Sequence, residues 1–405
     1  MPDDELAARL AEDGDAARLS FDLSGPVEAS AHALVDPDRI VVDLAEVNFQ
    51  LDPAVGRAAP GRGDGVVKAF RFGLFSPGKS RVVIDLARPA CVEEVKTTPI
   101  VKGSAPARLL IALKRCEPGA FAAAAQASAP SAPVALQTPE AAAPASGPPV
   151  IVLDPGHGGV DSGAYAVGGA EEKAIVYDYA LELARQLEAM GRFKVVLTRH
   201  GDEFVSLEDR VRIAREANAA LLISIHADTL GASAADVSGV TVYTCSERAS
   251  DAEAARTAEH ENAADKAAGV EPKTEAPGVA GILFDLERRE TRAYAHIFSR
   301  GVVEQWRGAG RLNRNPERSA GFVVLKAPDF PSVLVELGYL SSPEDVRAMT
   351  SPQWRVRTAG AMARAIERFF APARGEQPGE ARADEAVAAS GKAAAAPSPA
   401  VAPAP

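Results

Sequence analysis

The chain has 405 residues, which at about 150 residues per domain leaves room for two or three domains. Hydrophobic residues make up 47% and charged residues 24%, enough for packed cores and incompatible with wholesale disorder. The net charge of −11 works against binding nucleic acid or anionic lipid through bulk charge, and no apolar run reaches the roughly 18 residues of a transmembrane helix.

The start, MPDDELAARLAEDGD, is acidic and lacks a basic n-region and an apolar h-region, so as written it is not a signal peptide. Residues 15–116 then carry an internal repeat: RLSFDLS from Arg18, RIVVDLA from Arg39 and RVVIDLA from Arg81. Each alternates apolar and polar, the period of a half-buried strand. Further alternating runs lie at 27–35, 66–74 and 107–114, and repeated strands without an amphipathic helix predict a small all-β sandwich. The repeated Arg and Asp residues read as cross-strand pairs on an exposed face, with polymer binding as the alternative. The cysteines, Cys91, Cys116 and Cys245, are too few for a disulfide scaffold and form no C-x-x-C pair. Cys91 and Cys116 read as two small buried hydrophobes, with pairing in an oxidising compartment the alternative.

Residues 117–149 are mostly Ala, Pro and Ser, and seven prolines prevent a continuous helix. They read as an extended, semi-stiff tether. Residues 371–405 are similar and read as a disordered tail.

Between them, residues 150–370 alternate strands and helices. Strands are expected at 150–153, 193–198, 221–225, 239–244, 322–325 and 332–336. A helix is expected from Glu172 to Met190, with Val176, Ala180, Leu183, Leu187 and Met190 on one stripe. Ser206 and Asp209 form a capping box that opens another helix to about Asn218. A further helix covers about 289–307, and Ser342-Pro and Ser351-Pro each mark a helix start. The alternation predicts an α/β fold, an open twisted sheet with helices on both faces.

In such a sheet the functional site lies beyond the carboxyl ends of the strands. His157 follows the first strand in VIVLDPGHGG, His226 follows a central one in LLISIHAD, and Glu336 ends the last in SVLVELGY. A single histidine at a strand end is commonly a hydrogen-bonded structural residue. Two imidazoles and a carboxylate, however, make a three-ligand zinc set with an open position for a water whose pKa falls to about 7. A further carboxylate can take that water's proton. Glu336 suits that work, with Glu171 or Glu172 as third ligand.

The pieces VIVLDPGHGGVDSGA, GGAEEKAIV, VVLTRHGD with SLEDRVRIAREAN, LLISIHAD, GVTVYT and VLKAPDFPSVLVELGYLSSPEDV occur in this order across 150–370. In these the region resembles the zinc-dependent N-acetylmuramoyl-L-alanine amidases of the amidase-3 type. Residues 15–116, through the repeated R-x-V-x-D-L strands, resemble the AMIN domain, a β-sandwich implicated in envelope targeting. The resemblance implies zinc held by His157, Glu172 and His226, with Glu172 selected because the family's ligand Glu directly precedes a Lys. It implies Glu336 as the catalytic glutamate, peptidoglycan as substrate, a periplasmic location and a part in daughter-cell separation. Asp228 stands where Asn is common, Tyr339 where Phe is common and Ser342 where Asn is common; none removes a ligand. A wall-binding module without catalysis, or a zinc peptidase or deacetylase, are the competing readings.

The polar stretch 245–280 has helical composition and few large apolar residues, as in a solvated, charge-laced helix. Family members that need a separate protein activator, of the LytM type, resemble it there through an inserted helix that covers the site. The resemblance thus implies autoinhibition, and by position Glu247 is the expected plug of the open zinc position.

Overall fold

The computed structural model describes residues 8–127 and 147–371, apart from 57–64, 100–106, 231–236, 271–281 and positions 24, 46, 48, 50, 52, 77 and 167. The tail from 372 onward, residues 128–146 of the expected tether and 271–280 of the polar stretch lie outside the described residues.

Among the described residues, eight strands form the N-terminal part: β1 (Ala8–Asp13), β2 (Ala16–Leu23), β3 (Ala29–Leu34), β4 (Arg39–Ala45), β5 (Val67–Ser76), β6 (Lys79–Leu86), β7 (Ala90–Pro99) and β8 (Ala107–Arg115). They make two antiparallel four-stranded sheets, ordered β1-β2-β8-β7 and β3-β4-β6-β5. Alternation places one side of every strand inward: β2 buries Ala17, Leu19, Phe21 and Leu23, and β4 buries Ile40, Val42 and Leu44. Phe21 meets Phe49, Phe70 and Phe72 edge-on in the middle. The expected all-β sandwich is therefore present.

Two of the three repeated strands, β4 and β6, lie side by side in one sheet, with Arg39 opposite Asp85 and Asp43 opposite Arg81, while the third, β2, lies in the other sheet. Arg81 pairs with Asp43 at 2.6 Å, a cross-strand pair as expected. The face is not exposed, however. Arg39 and Arg81 are buried, because the C-terminal part lies against them. Leu34, Val41, Val83, Val160, Phe204 and Ala268 form one apolar cluster between the two parts, and Phe75 stacks on Phe204. Cys91 and Cys116, expected as buried hydrophobes, form a disulfide. Strand β7, which holds Cys91, lies beside the end of β8, just before Cys116, and that adjacency is invisible in the sequence. Part of the expected tether is ordered too: α1 (Pro118–Ala127) caps the sandwich with Phe121 buried.

The C-terminal part holds β9 (Val150–Pro155), α2 (Glu172–Ala189), β10 (Lys194–Leu197), α3 (Leu207–Glu216), β11 (Leu221–His226) and β12 (Val240–Cys245). There follow α4 (Ala252–Asn262), the single turn α5 (Ala264–Ala267), α6 (Ile282–Trp306), β13 (Leu312–Ala320), β14 (Ser332–Glu336), α7 (Pro343–Met349) and α8 (Pro352–Phe369). Its six strands are ordered β10-β9-β11-β14-β12-β13. Ile151, Leu153, Ile223, Ile225, Val333 and Val335 point to one face, packed on α2, α6 and α8. Val152, Leu222 and Leu334 point to the other, packed on α3 and α4 through Ala214, Ala254 and Ala258. Helices thus cover both faces, as expected. The serine caps at Ser206, Ser342 and Ser351 each accept a backbone N–H, and Pro opens α7 and α8.

One expectation fails, and one strand went unread. Residues 323–325 form a 3-10 turn rather than a strand, and the edge strand is the polar Leu312–Ala320, whose unpatterned sequence gives no period to read. More consequentially, β12 runs antiparallel to β14, with Thr241 opposite Glu336 and Tyr243 opposite Leu334. The chain therefore leaves β12 at the end of the sheet away from Glu336.

The disulfide closes a loop with a sequence separation of 25, worth about 3 kcal/mol of chain entropy. The double variant Cys91→Ser/Cys116→Ser is expected to destabilise the sandwich by about 3 kcal/mol, read as a lower urea midpoint. Adding reductant to the unmodified chain should reproduce the shift.

Candidate active site

Strand β9 ends in a turn whose backbone is unusual: His157 adopts a left-handed φ of 58°, a conformation L residues seldom take without support. Two buried arginines provide that support. Arg210, on α3, pairs with the buried Asp154 at 2.7 Å and donates to the carbonyls of Pro155 and His157. Arg199, just past β10, donates to the carbonyls of Pro155, Gly156 and Lys173. Asp154 also accepts from Thr198 and Ser224, so every charge in the network has partners. Gly156 is required by the next strand: a Cβ there would overlap the ring of His226.

The turn brings His157 over the start of α2 and the end of β11. Its Nδ1 lies 2.9 Å from Asp161 Oδ2, leaving Nε2 aimed inward. That Nε2 lies 3.2 Å from Glu172 Oε1 and 3.5 Å from Glu261 Oε2. Nδ1 of His226 lies 3.2 Å from the same Glu172 oxygen and 2.9 Å from the same Glu261 oxygen. All four residues are buried, and their ligating atoms form one compact group. Nitrogen and oxygen ligands at about 2.0–2.1 Å from a tetrahedral ion lie about 3.3 Å from one another. The spacing therefore fits a single divalent cation. The chemistry of the set agrees: His157 Nε2 and both carboxylate oxygens of Glu261 are buried with no hydrogen-bond partner among protein atoms, and metal coordination is what such atoms are suited to. Asp161 behind His157 fixes that ring's orientation, as an outer carboxylate does for metal-binding imidazoles.

Glu336 stands beside this set. It is directly opposite His226 on the adjoining parallel strand and fully buried. Its Oε2 accepts from the Asp228 N–H at 2.9 Å, while Oε1 is buried without a hydrogen-bond partner. Burial first, then the nearby carboxylates of Asp228, Glu261 and Glu172, push its carboxyl well above the ordinary range. Burial pushes the His157 imidazole down, but Glu172, Asp161 and Glu261 outweigh it and hold the ring's pKa well above normal. Burial would raise Glu261, but His226 and His157 bring it down to about 2. This is the mutual charging expected where two bases and several acids share a dry pocket.

The sequence-derived residues thus divide. His157, Glu172, His226 and Glu336 converge. Glu171, the other candidate third ligand, sits at the cap of α2, and Glu172 is the one that turns inward. Glu247 is not at the site: its side chain is 83% exposed, 3.9 Å from Arg292. Direction explains this. Because β12 is antiparallel to β14, Cys245 lies four residues, about 13 Å, below the level of Thr241 and Glu336. The eleven residues of α4 rise about 16 Å and carry the chain back to the site, where Glu261 arrives. Its signal was present in the sequence as the stripe Ala254, Thr257, Ala258, Glu261, which is the buried face of α4. Beside it His260 pairs with Asp228 at 3.1 Å, so the end of α4 touches both halves of the site. Asp161, Arg199 and Arg210 were also unassigned, although they stand within the quoted motifs.

Fold and site together define an α/β enzyme with a side-chain set fitted to a divalent cation. The chain belongs to the N-acetylmuramoyl-L-alanine amidase family: residues 151–368 match the family model of that description, and residues 7–111 match the AMIN domain. It is 31% identical over 382 residues to N-acetylmuramoyl-L-alanine amidase AmiC of Escherichia coli O6:H1, covering 90% of this chain and 89% of that one. It is 36% identical over 222 residues to the amidase AmiA of Escherichia coli K12, covering 55% and 76%. Among solved structures, N-acetylmuramoyl-L-alanine amidase AmiC2 of Nostoc punctiforme aligns with a TM-score of 0.40 at 28% identity, over 56% of this chain and 99% of that one. The protein is a peptidoglycan amidase. Among the described residues no helix is long and apolar enough to cross a membrane.

A Cβ at position 156 would displace the His226 ring. Gly156→Ala is therefore expected to weaken divalent-metal affinity about 10- to 100-fold, read by chelator competition on protein whose circular dichroism is unchanged.

Proposed function

We propose that the chain hydrolyses the amide between N-acetylmuramic acid and L-alanine using a zinc ion held by His157, Glu172 and His226, with Glu336 as general base and acid. The observation that carries this reading is the clustering of ligand atoms at 2.9–3.5 Å beside a buried carboxyl with one oxygen unpartnered. Zinc bound there would act as a Lewis acid on the amide carbonyl and bring the pKa of water toward neutrality. Asp161 keeps His157 Nε2 presented, and Glu172, anchored by the N–H groups of Ala164 and Ala227, stays fixed between the rings. The Asp228 N–H holds one oxygen of Glu336, leaving Oε1 to take the proton of the attacking water. As the C–N bond breaks, the same oxygen returns that proton to the leaving nitrogen of L-alanine, releasing a stem peptide and a glycan with free muramic acid.

Residues 150–370 form the catalytic domain in this reading, joined to a targeting sandwich over 15–116 by 117–149, of which α1 packs on the sandwich. The Cys91–Cys116 disulfide favours an oxidising compartment, and with the substrate it supports a periplasmic location and a part in daughter-cell separation. The 245–280 segment is autoinhibitory in this reading, with Glu261, in place of Glu247, the carboxylate that would fill the open position of a bound ion. A protein activator of the LytM type would lift α4.

Glu336→Gln should retain zinc by elemental analysis and lose muropeptide cleavage by at least about 100-fold; undiminished cleavage removes Glu336 from its role. Glu261→Ala should raise activity without an activator by about tenfold or more, measured as peptides beginning with L-alanine released from purified sacculi. Loss of activity in a zinc-loaded, folded Glu261→Ala protein would instead make Glu261 a working ligand.

A further inference from the structure

The turn that follows the Glu261 helix is held by the other domain. Arg39 donates to the carbonyl of Lys266. Arg71 donates to that of Ala267 at 2.6 Å. Arg81 donates to those of Ala268 and Gly269 at 3.1 Å each. Four consecutive carbonyls beyond α4 are thus taken by three arginines of one sheet face. Each arginine is itself fixed: Arg81 by Asp43, Arg71 by Asp85, and Arg39 by the carbonyl of Pro37. The fit is close. Gly269 has a φ of +71°, and a Cβ there would come within 2.6 Å of Val41 on β4. Ala268 is buried in the apolar cluster with Val41 and Val83. From the catalytic side, Asp265 accepts from the Leu207 N–H at 2.9 Å, Asn262 donates to the carbonyl of Gly321 and accepts from the Val323 N–H, and Ala268 shares its cluster with Val160 and Phe204.

We propose that the β3-β4-β6-β5 face of the sandwich is an intramolecular docking surface for residues 266–269, and that this contact latches α4 over the active site. The inference rests on the reading of α4 as the inhibitory helix. The repeated R-x-V-x-D-L strands then have a use beyond pairing with each other: Arg39 and Arg81 take a carbonyl-rich turn, while Asp43 holds the guanidinium of Arg81 and Asp85 that of Arg71 at the right angle. Only four residues lie between Glu261 and Lys266, so the turn cannot leave the face without pulling on the helix end. A released turn frees Glu261 from the ligand set; a docked turn keeps it there.

Hydrogen exchange across 252–262 and activity on sacculi, both measured on the full chain, test this. Gly269→Val blocks docking from the turn side, and Arg71→Met removes one donor from the sandwich side while leaving Arg81–Asp43 intact. Both variants should exchange α4 amides about tenfold faster or more, with sandwich amides as protected as in the unmodified chain, and both should show several-fold higher activity without an activator. Unchanged α4 exchange in both variants overturns the latch. Faster α4 exchange with unchanged hydrolysis supports the latch and overturns the inhibitory role of α4.

Discussion

Arg210 reaches from α3 through the interior to Asp154, and around this one buried ion pair the site is assembled. The pair lies beneath the turn that carries His157, and Arg210 also donates to the Pro155 and His157 carbonyls of that turn, while its Nε donates to the carbonyl of Val205. A left-handed histidine costs about 1–3 kcal/mol and persists only where its surroundings leave no alternative. Removing either partner of a buried pair strands the other charge, at about 3–5 kcal/mol. Catalytic geometry and domain stability are therefore held by the same contacts. Thr198 on one side and Ser224 on the other extend the network to the neighbouring strands, which places the ends of β9 and β11 at fixed heights.

Much of this was legible in the residues. Short apolar runs, serine caps and histidines at strand ends located the parallel strands and two of the imidazoles, because those features are local. What was not legible is relational. Period-two patterning gives a strand but not its direction, so the antiparallel path of β12 was hidden, and with it the fact that the chain must travel back along α4 before a carboxylate reaches the site. Glu261 was missed in favour of Glu247 for that reason alone. Likewise Leu312–Ala320 pairs through its backbone at the sheet edge with few apolar side chains to mark it. Cys91 and Cys116 depend on a separation of 5.7 Å between their Cα atoms, which no spacing in sequence encodes. Arg39 and Arg81 look like surface residues in their strands and are buried only because another domain covers them.

The two domains are consequently less independent than a chain of sandwich, tether and enzyme suggests. Phe75 stacks on Phe204, the Phe204 N–H donates to the carbonyl of Leu74, and Val160, three residues past His157, joins the shared apolar cluster. The sandwich face therefore adjoins the back of the His157 turn as well as the exit of α4. If the sandwich is drawn elsewhere, both of these are exposed at once.

The arginines of that face take main-chain oxygens, and every residue has one. Side chains at 266 and 267 can consequently drift over generations while the grip is kept, whereas Ala268 is buried and position 269 admits little but glycine. A segment held in this way can change its outer surface without ceasing to be recognised by its own sandwich.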